Sequence, residues 1–360
     1  MCRHRPEGDG LLRSRWGTSR TPSGNLRNRP RRPHAARPGG ALTPTRYATL
    51  AMAIGANLPD VDLVTRFAGS TVFLKYHRGI THSFLGVSVL AALLAGTFFL
   101  LGRRAQPAKN SPPLDGRWLL AGCWLATASH LLLDFTNSYG VRPFLPFSGK
   151  WYAWDIVFIV DPVLLGLMGA GLGLPMVLRI VSEEVGAGKP SLRRGAVFSL
   201  CSMLAFWGLR DVAHRRVLSL LDSHVYGQEN PLRLGAFPSP ANPFAWTGVV
   251  ETDFTFRILE VSALDEGADS EPERTYHKPE PSTVLDAALK TRTAAVFSDF
   301  ARFLWAQVHE DEEGYTVILQ DLRFVSHDVR RHGFTAEIGL DKSLTARSEW
   351  FSIWGRPDDP

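Results

Sequence analysis

The sequence has little sulfur to do chemistry with. It holds three cysteines in 360 residues, Cys2, Cys123 and Cys201, far apart and with no CxxC pair. That spacing argues against a disulfide framework and against a thiolate zinc site. Any bound metal falls to histidine and carboxylate. Lysine is missing from the first forty residues, which carry ten arginines, five prolines and only Glu7 and Asp9 as acids. The stretch has no aromatic interleaving and no periodic apolar face, which speaks against a nucleic-acid arm or a membrane-surface anchor. It reads as a disordered leader, or one translated from a misplaced start. It also lacks the apolar core of a signal peptide, so membrane targeting is expected from the first true span.

Charge is the next absence. Residues 83–101 are 19 positions without one, about the length that crosses a hydrocarbon core of roughly 30 Å as a helix. Runs at 118–133, 156–178 and 195–209 are similar but shorter or interrupted by an ionisable residue, and 47–58 is weaker again. The expectation is four or five spans, with buried helices of a soluble protein as the alternative. The fold class is then mainly α: a leader (1–40), a multi-span transmembrane helical bundle (41–221), a Pro- and aromatic-rich connector (222–250) and a soluble α+β domain (251–360).

The polar joints between the apolar runs are of two kinds. Those at 102–117 and 179–194 each hold four Lys or Arg and little that can do chemistry. The others are "NLPDVDLV" with Asp60 and Asp62, "HRGITHS" with His77, Arg78 and His82, "SHLLLDFTNSYG" with His130 and Asp134, and "WYAWDIVFIVDP" with Asp155 and Asp161. Because consecutive spans run in opposite directions, all four of these emerge on one membrane face.

Each element has a reactive and a plain reading. His130 and Asp134 lie four apart, on one face of a helix, where two side chains can share a metal; alternatively they are an interior histidine and a helix-end carboxylate. His77 and His82 would point about 140° apart on one helix. A bend at Gly79, with Thr81 or Ser83 capping the next helix, lets them converge. The planar fork of Arg78 suits a phosphate or carboxylate of a substrate, against an interfacial loop facing lipid headgroups. "PDVD" offers two carboxylates or an Asx-type turn. Asp161, before Pro162, suits either a substrate contact or a helix kink.

Together Asp60, His77, His82, His130 and Asp134 are candidate metal ligands. Asp62 is a further ligand or general base, and Arg78 a substrate clamp. Such a donor set suits zinc or manganese, which lowers the pKa of a bound water and produces a hydroxide nucleophile. Six donors would suffice for two ions and would favour phosphoester cleavage over other hydrolysis.

"PDVD", "HRGITHS", "HLLLDFTNSYGVRPFLPFS" and the later "FPSPANPFAWTGVVET", in this order, resemble the YdjM/YbcI-type family of inner-membrane, metal-dependent hydrolases. The resemblance implies a multi-span bundle in a bacterial inner membrane, with the His and Asp residues just named as metal ligands, and implies no substrate. Members of that family open with a short helix bearing a further histidine. This chain has the Arg- and Pro-rich segment there, with His34.

Beyond 221 the pattern changes. Residues 252–261, 315–324 and 334–340 alternate as half-buried strands, with Phe254, Phe256 and Ile258 on one face of the first. Val296, Phe300, Phe303 and Leu304 recur at helical spacing, as the core face of a helix on an antiparallel sheet. From 251 onward the chain has 22 acidic and 12 basic residues. Its acidic loops read as solvated surface, and no nucleic acid is expected. An odd number of spans places this domain on the side of the metal face, as a lid or a docking point for a protein partner.

Orientation follows from the positive-inside rule. The ligand-free joints hold eight Lys or Arg and the leader ten Arg, against Arg66, Lys75, Arg78, Arg142 and Lys150 on the ligand-bearing side. The bias puts the metal face outside the cytoplasm, with Arg210, Arg215 and Arg216 counting the other way. The functional expectation is a membrane-bound hydrolase of an ester or phosphoester, with membrane lipids as surroundings and a lipid or other small molecule as substrate. The alternative is a membrane adaptor or transporter whose His and Asp residues form a structural ion site or proton relay.

Overall fold

The computed structural model describes residues 45–107, 111–185, 191–267, 274–325 and 333–353. The leader and His34 lie outside them. The chain opens with α1 (Ala48–Gly55), continues as a 3₁₀ helix over Leu58–Ala68, and forms α2 (Ser70–Tyr76) and a 3₁₀ turn at Ile80–His82. It then runs through α3 (Phe84–Arg104) and α4 (Gly116–Thr136). Next come α5 (Pro162–Met168) and α6 (Leu174–Val185), joined through a π-turn at Gly169–Gly173, and α7 (Leu192–Ser223).

Among the described residues four stretches are long and apolar enough to cross a membrane: Phe84–Arg104, Gly116–Thr136, Pro162–Ile180 and Leu192–Ser223. Most of their starts are fixed by side-chain caps on otherwise unpaired amides. Ser83 accepts from Gly86 N, Asp115 from Arg117 N and Trp118 N, Asp161 from Val163 N and Leu164 N, and Ser191 from Arg194 N. α3 buries Ala91 and Ala95 with Leu119 and Cys123 of α4 and Ala51 of α1, and Val87 with Leu131 of α4. Small residues let these backbones approach, as helix packing in lipid requires. The outward side chains of α3, Phe84, Leu85, Val89, Leu93 and Leu100, are exposed apolar surface.

Three of the expected spans change their limits. α1 has eight residues, about 12 Å of helix, too short to span alone. Residues 45–60 nonetheless carry the chain from one end of α3 to the other. Arg46 N donates to Pro113 O and the Tyr47 ring packs at a tilt against Phe98, whereas the Ala56 carbonyl reaches His130. The run at 156–178 becomes a helix only at Pro162, because the amides of Ile156 and Val157 bond to Thr136 O and Asp161 caps α5. The run at 195–209 continues as helix to Ser223.

That extension carries the C-terminal domain. β1 (Arg233–Pro238), β2 (Ala245–Glu251), β3 (Thr255–Ser262) and β4 (Arg274–His277) form one antiparallel sheet in that order. β5 (Leu304–Glu310), β6 (Gly314–Asp321), β7 (Thr335–Asp341) and β8 (Ala346–Ser352) form a second. Ala213, Val217 and Leu221 of α7 pack with Trp246, Val250 and Leu259 on one face of the first sheet. Its other face buries Phe237, Val249, Phe256 and Ile258 with Phe303 and Leu322. The second sheet packs on α8 (Thr283–Leu289) and α9 (Arg292–Phe300).

The stretch 222–250, expected as a connector, therefore supplies two strands of a sheet. Phe254 is exposed and precedes β3, so it does not share the buried face of Phe256 and Ile258. Phe303 and Leu304 lie past the end of α9, which stops at Phe300 when Ala301 turns extended.

Candidate metal centre

The site is built where α3 begins and α4 ends. Asp60 comes from the 3₁₀ helix, His82 from the turn before α3, and His130 and Asp134 from the last two turns of α4. The turn that aims His82 depends on two glycines. A Cβ at Gly79 would lie 2.6 Å from Tyr76 O, and one at Gly86 would lie 1.8 Å from Ile80 O, so neither position takes a larger residue without moving backbone. Beside Gly79, where the bend was expected, Arg78 adopts a left-handed conformation at φ 54°.

Four acceptor atoms converge. His82 Nε2 lies 3.3 Å from His130 Nε2, 3.4 Å from Asp60 Oδ1 and 3.2 Å from Asp134 Oδ2. His130 Nε2 lies 3.5 Å from Asp60 Oδ1 and 3.4 Å from Asp134 Oδ2. Ligands about 2.0–2.2 Å from a tetrahedral zinc are separated by about 3.3–3.6 Å, so these five separations match the edges of such a site. The other ring nitrogens are already engaged: His82 Nδ1 faces Asp62 Oδ2 at 3.1 Å, and His130 Nδ1 faces Ala56 O at 2.7 Å. If Nδ1–H donates outward on both rings, the two Nε2 atoms face each other and two carboxylate oxygens, an arrangement that either a bound cation or protonation of the imidazoles would satisfy. Asp134 Oδ2 is buried and faces both Nε2 atoms.

Without a metal the same demand appears as proton affinity. Burial opposes a charged His82, but hydrogen bonds to Asp134, Asp60 and Asp62 outweigh it and push its pKa up to about 10. The hydrogen bonds of His130 and His82 hold Asp60 far below the usual carboxylate range.

The remaining residues expected at the site surround this cluster. Burial would raise the pKa of Asp62, yet its contacts with His77, His82 and Thr81 lower it. Its Oδ1 accepts from His77 Nδ1 at 2.9 Å, and its Oδ2 accepts from Arg78 N at 3.1 Å and from Thr81 Oγ1 at 2.6 Å. His77 lies outside the four-atom cluster and belongs to a second group, with Asp62 and the shared Asp60, whose ligand atoms lie within 4.8 Å of one another. The fork of Arg78 is engaged by the protein. It pairs with Asp134 Oδ1 at 2.8 Å and donates to Asn137 Oδ1 at 2.9 Å, with its guanidinium 4.6 Å from the ring centre of Tyr139. Arg78 thus holds Asp134. Asp155 forms a two-point pair with Arg302, and Asp161 is a helix cap with no kink to hold.

The sequence reading missed Asn137 and Tyr139, although both lie in the quoted "TNSYG". It also missed Arg323, which no spacing marks. Arg323 is buried against Asp321 and donates to Ser138 O at 2.6 Å and Phe300 O at 2.9 Å. It thereby ties the second sheet to the loop that holds Arg78.

Residues 31–217, just over half of the chain, match the family described as YdjM inner membrane protein. The chain belongs to this family. All four converging residues fall inside the matched region, and the two sheets fall outside it. The chain is also similar to an uncharacterised protein of Bacillus subtilis (strain 168), YfhP, with 25% identity over 311 residues that cover 84% of each chain. No solved structure matches.

Proposed function

We propose that this membrane protein is a metal-dependent hydrolase of esters or phosphoesters. The observation that carries the reading is the set of four acceptor atoms at 3.2–3.5 Å whose two imidazoles already use their other nitrogen. Asp60, His82, His130 and Asp134 would hold one zinc or manganese ion, a Lewis acid that makes a bound water acidic near neutral pH. Asp62 and the Ala56 carbonyl orient the two imidazoles, and Arg78 orients Asp134. Asp60 is the most exposed of the four, its side chain 36% accessible against 0% for His82 and 15% for His130 and Asp134. Water and substrate would therefore approach on its side. A second ion at Asp60, Asp62 and His77 would have to break the His77–Asp62 hydrogen bond, so one ion per chain is the reading. The arginine bias of the joints favours a metal face outside the cytoplasm.

The test is metal analysis and turnover of the detergent-purified chain. Zinc or manganese near one per chain, lost in His82→Ala and His130→Ala together with hydrolysis of bis(para-nitrophenyl) phosphate, supports the proposal. Metal retained in both variants, or none in the wild type, favours the adaptor or transporter reading.

A further inference from the structure

The 3₁₀ helix at Leu58–Ala68 runs for eleven residues, whereas such helices are uncommon beyond three or four. Three residues per turn bring side chains at i and i+3 into register, and the segment sorts into three columns. Pro59, Asp62 and Thr65 turn to the protein. Asp60, Leu63 and Arg66 form the second column, which begins at the metal cluster. Leu58, Val61, Val64 and Phe67 form the third, wholly apolar, and its exposure climbs from 52% at Val61 through 62% at Val64 to 93% at Phe67.

The surroundings identify what covers this stripe. The segment follows α1, in which Leu50, Met52 and Ile54 are exposed, and it packs beside α3, in which Phe84 and Leu85 are exposed at the start. Exposed apolar side chains thus lie on both elements that the segment packs against. Arg66 beside Phe67 adds the pairing of a cation with a large apolar group found at headgroup level. His82 stands two residues before α3, so the cluster lies where hydrocarbon gives way to headgroups. On the opposite side Arg78, Asn137 and Tyr139 are buried and close it. Its open ligand, Asp60, adjoins Val61 at the head of the stripe.

We propose that the Leu58–Ala68 segment is seated in the bilayer interface and that the substrates of the adjoining centre are lipid-borne phosphoesters, which reach Asp60 laterally along the Val61–Val64–Phe67 stripe. The substrate half of this statement rests on the hydrolase reading. The reaction is plain hydrolysis: the oxygen of water forms the new bond to phosphorus, the bond to the leaving alcohol breaks with its electron pair, and that alcohol takes up the proton released by water.

Two measurements test the two halves. The first places a nitroxide at Phe67→Cys or Val64→Cys, in a chain with Cys2, Cys123 and Cys201 changed to Ser, and reads collision with oxygen against a water-soluble nickel chelate in phosphatidylcholine–phosphatidylglycerol vesicles. Labels lying below the phosphates are expected; labels in bulk water overturn the proposal whatever the enzyme does. The second compares water-soluble bis(para-nitrophenyl) phosphate with a phosphatidyl-para-nitrophenol carried in the same vesicles. The double variant Val64→Ser/Phe67→Ser is expected to lower turnover of the vesicle-borne probe about tenfold more than that of the soluble one, through loss of apolar seating. Equal loss on both probes, or none, overturns lateral delivery. A zinc-loaded wild type that cleaves neither probe removes the hydrolase reading and the substrate half with it, and leaves the seating to be decided by the nitroxide.

Discussion

At the scale of single residues, the centre separates groups that face the cation position from groups that aim them. Asp60 and Asp62 are two positions apart and chemically identical, yet Asp60 Oδ1 faces both imidazole Nε2 atoms while Asp62 accepts from His77, Arg78 N and Thr81 and faces His82 Nδ1. Asp62→Asn is expected to weaken zinc binding by about 10–100-fold while one ion still binds at saturation. Asp60→Asn is expected to lower the stoichiometry itself. Competition with a chelating dye reads both, and an Asp62→Asn chain that binds no zinc at saturation would make Asp62 a ligand. The four converging residues were legible from spacing and from the alternation of spans, which puts their joints at one membrane face. The division of labour among Asp62, His77 and Arg78 was not legible. It depends on the left-handed turn at Arg78 and on where a guanidinium ends after four rotatable bonds, and neither leaves a periodic trace.

At the scale of elements, the turn at Ile80–His82 is pinned between α2 and α3 by close backbone contact. Gly86→Ala would drive a methyl group into the Ile80 carbonyl. The expected result is a loss of more than about 1–3 kcal/mol, the usual range for overpacking, together with weaker zinc binding, although Gly86 carries no donor. Gly96, on the same helix, has nothing within 4 Å of a built Cβ. Gly96→Ala is therefore expected to be neutral or stabilising by up to about 1 kcal/mol through helix propensity, with zinc binding unchanged. Thermal unfolding with a parallel zinc titration checks the pair. Helices with a charge-free core could be read from the sequence, but their ends moved wherever a cap competed, as Asp161 does at α5. The strands at 233–238 and 245–251 were hidden by proline. β1 is an edge strand and Pro238 is its last residue, a place where a missing amide costs the sheet nothing.

At the scale of the whole molecule, the candidate membrane spans and the C-terminal domain meet at the end that carries the His/Asp cluster. Arg302 pairs with Asp155, Thr71 bonds to Thr293, and Arg323 reaches Ser138, so the sheets rest on the loops that carry the site. That docking makes one orientation decide the rest. Ser148 is exposed in the loop on the metal side. In a chain whose other cysteines are Ser, Ser148→Cys is expected to react with a membrane-impermeant maleimide on intact cells; labelling only after lysis would place the metal face in the cytoplasm. The existence of a small α+β domain was legible from alternating residues. Its attachment was not, because the residues that make it, Arg302 and Arg323 among them, stand in no pattern shared with the segments they join.

α7 has a consequence for how the two halves of the protein move. Its 32 residues span about 48 Å, well beyond a hydrocarbon core of about 30 Å, and its last turns are packed into the first sheet through Val217 and Leu221. No loop intervenes between bilayer and sheet at this attachment. The helix is a mast: with the first sheet packed on its upper turns, a lean of the mast imposed by a thinner or thicker bilayer is expected to carry that sheet with it.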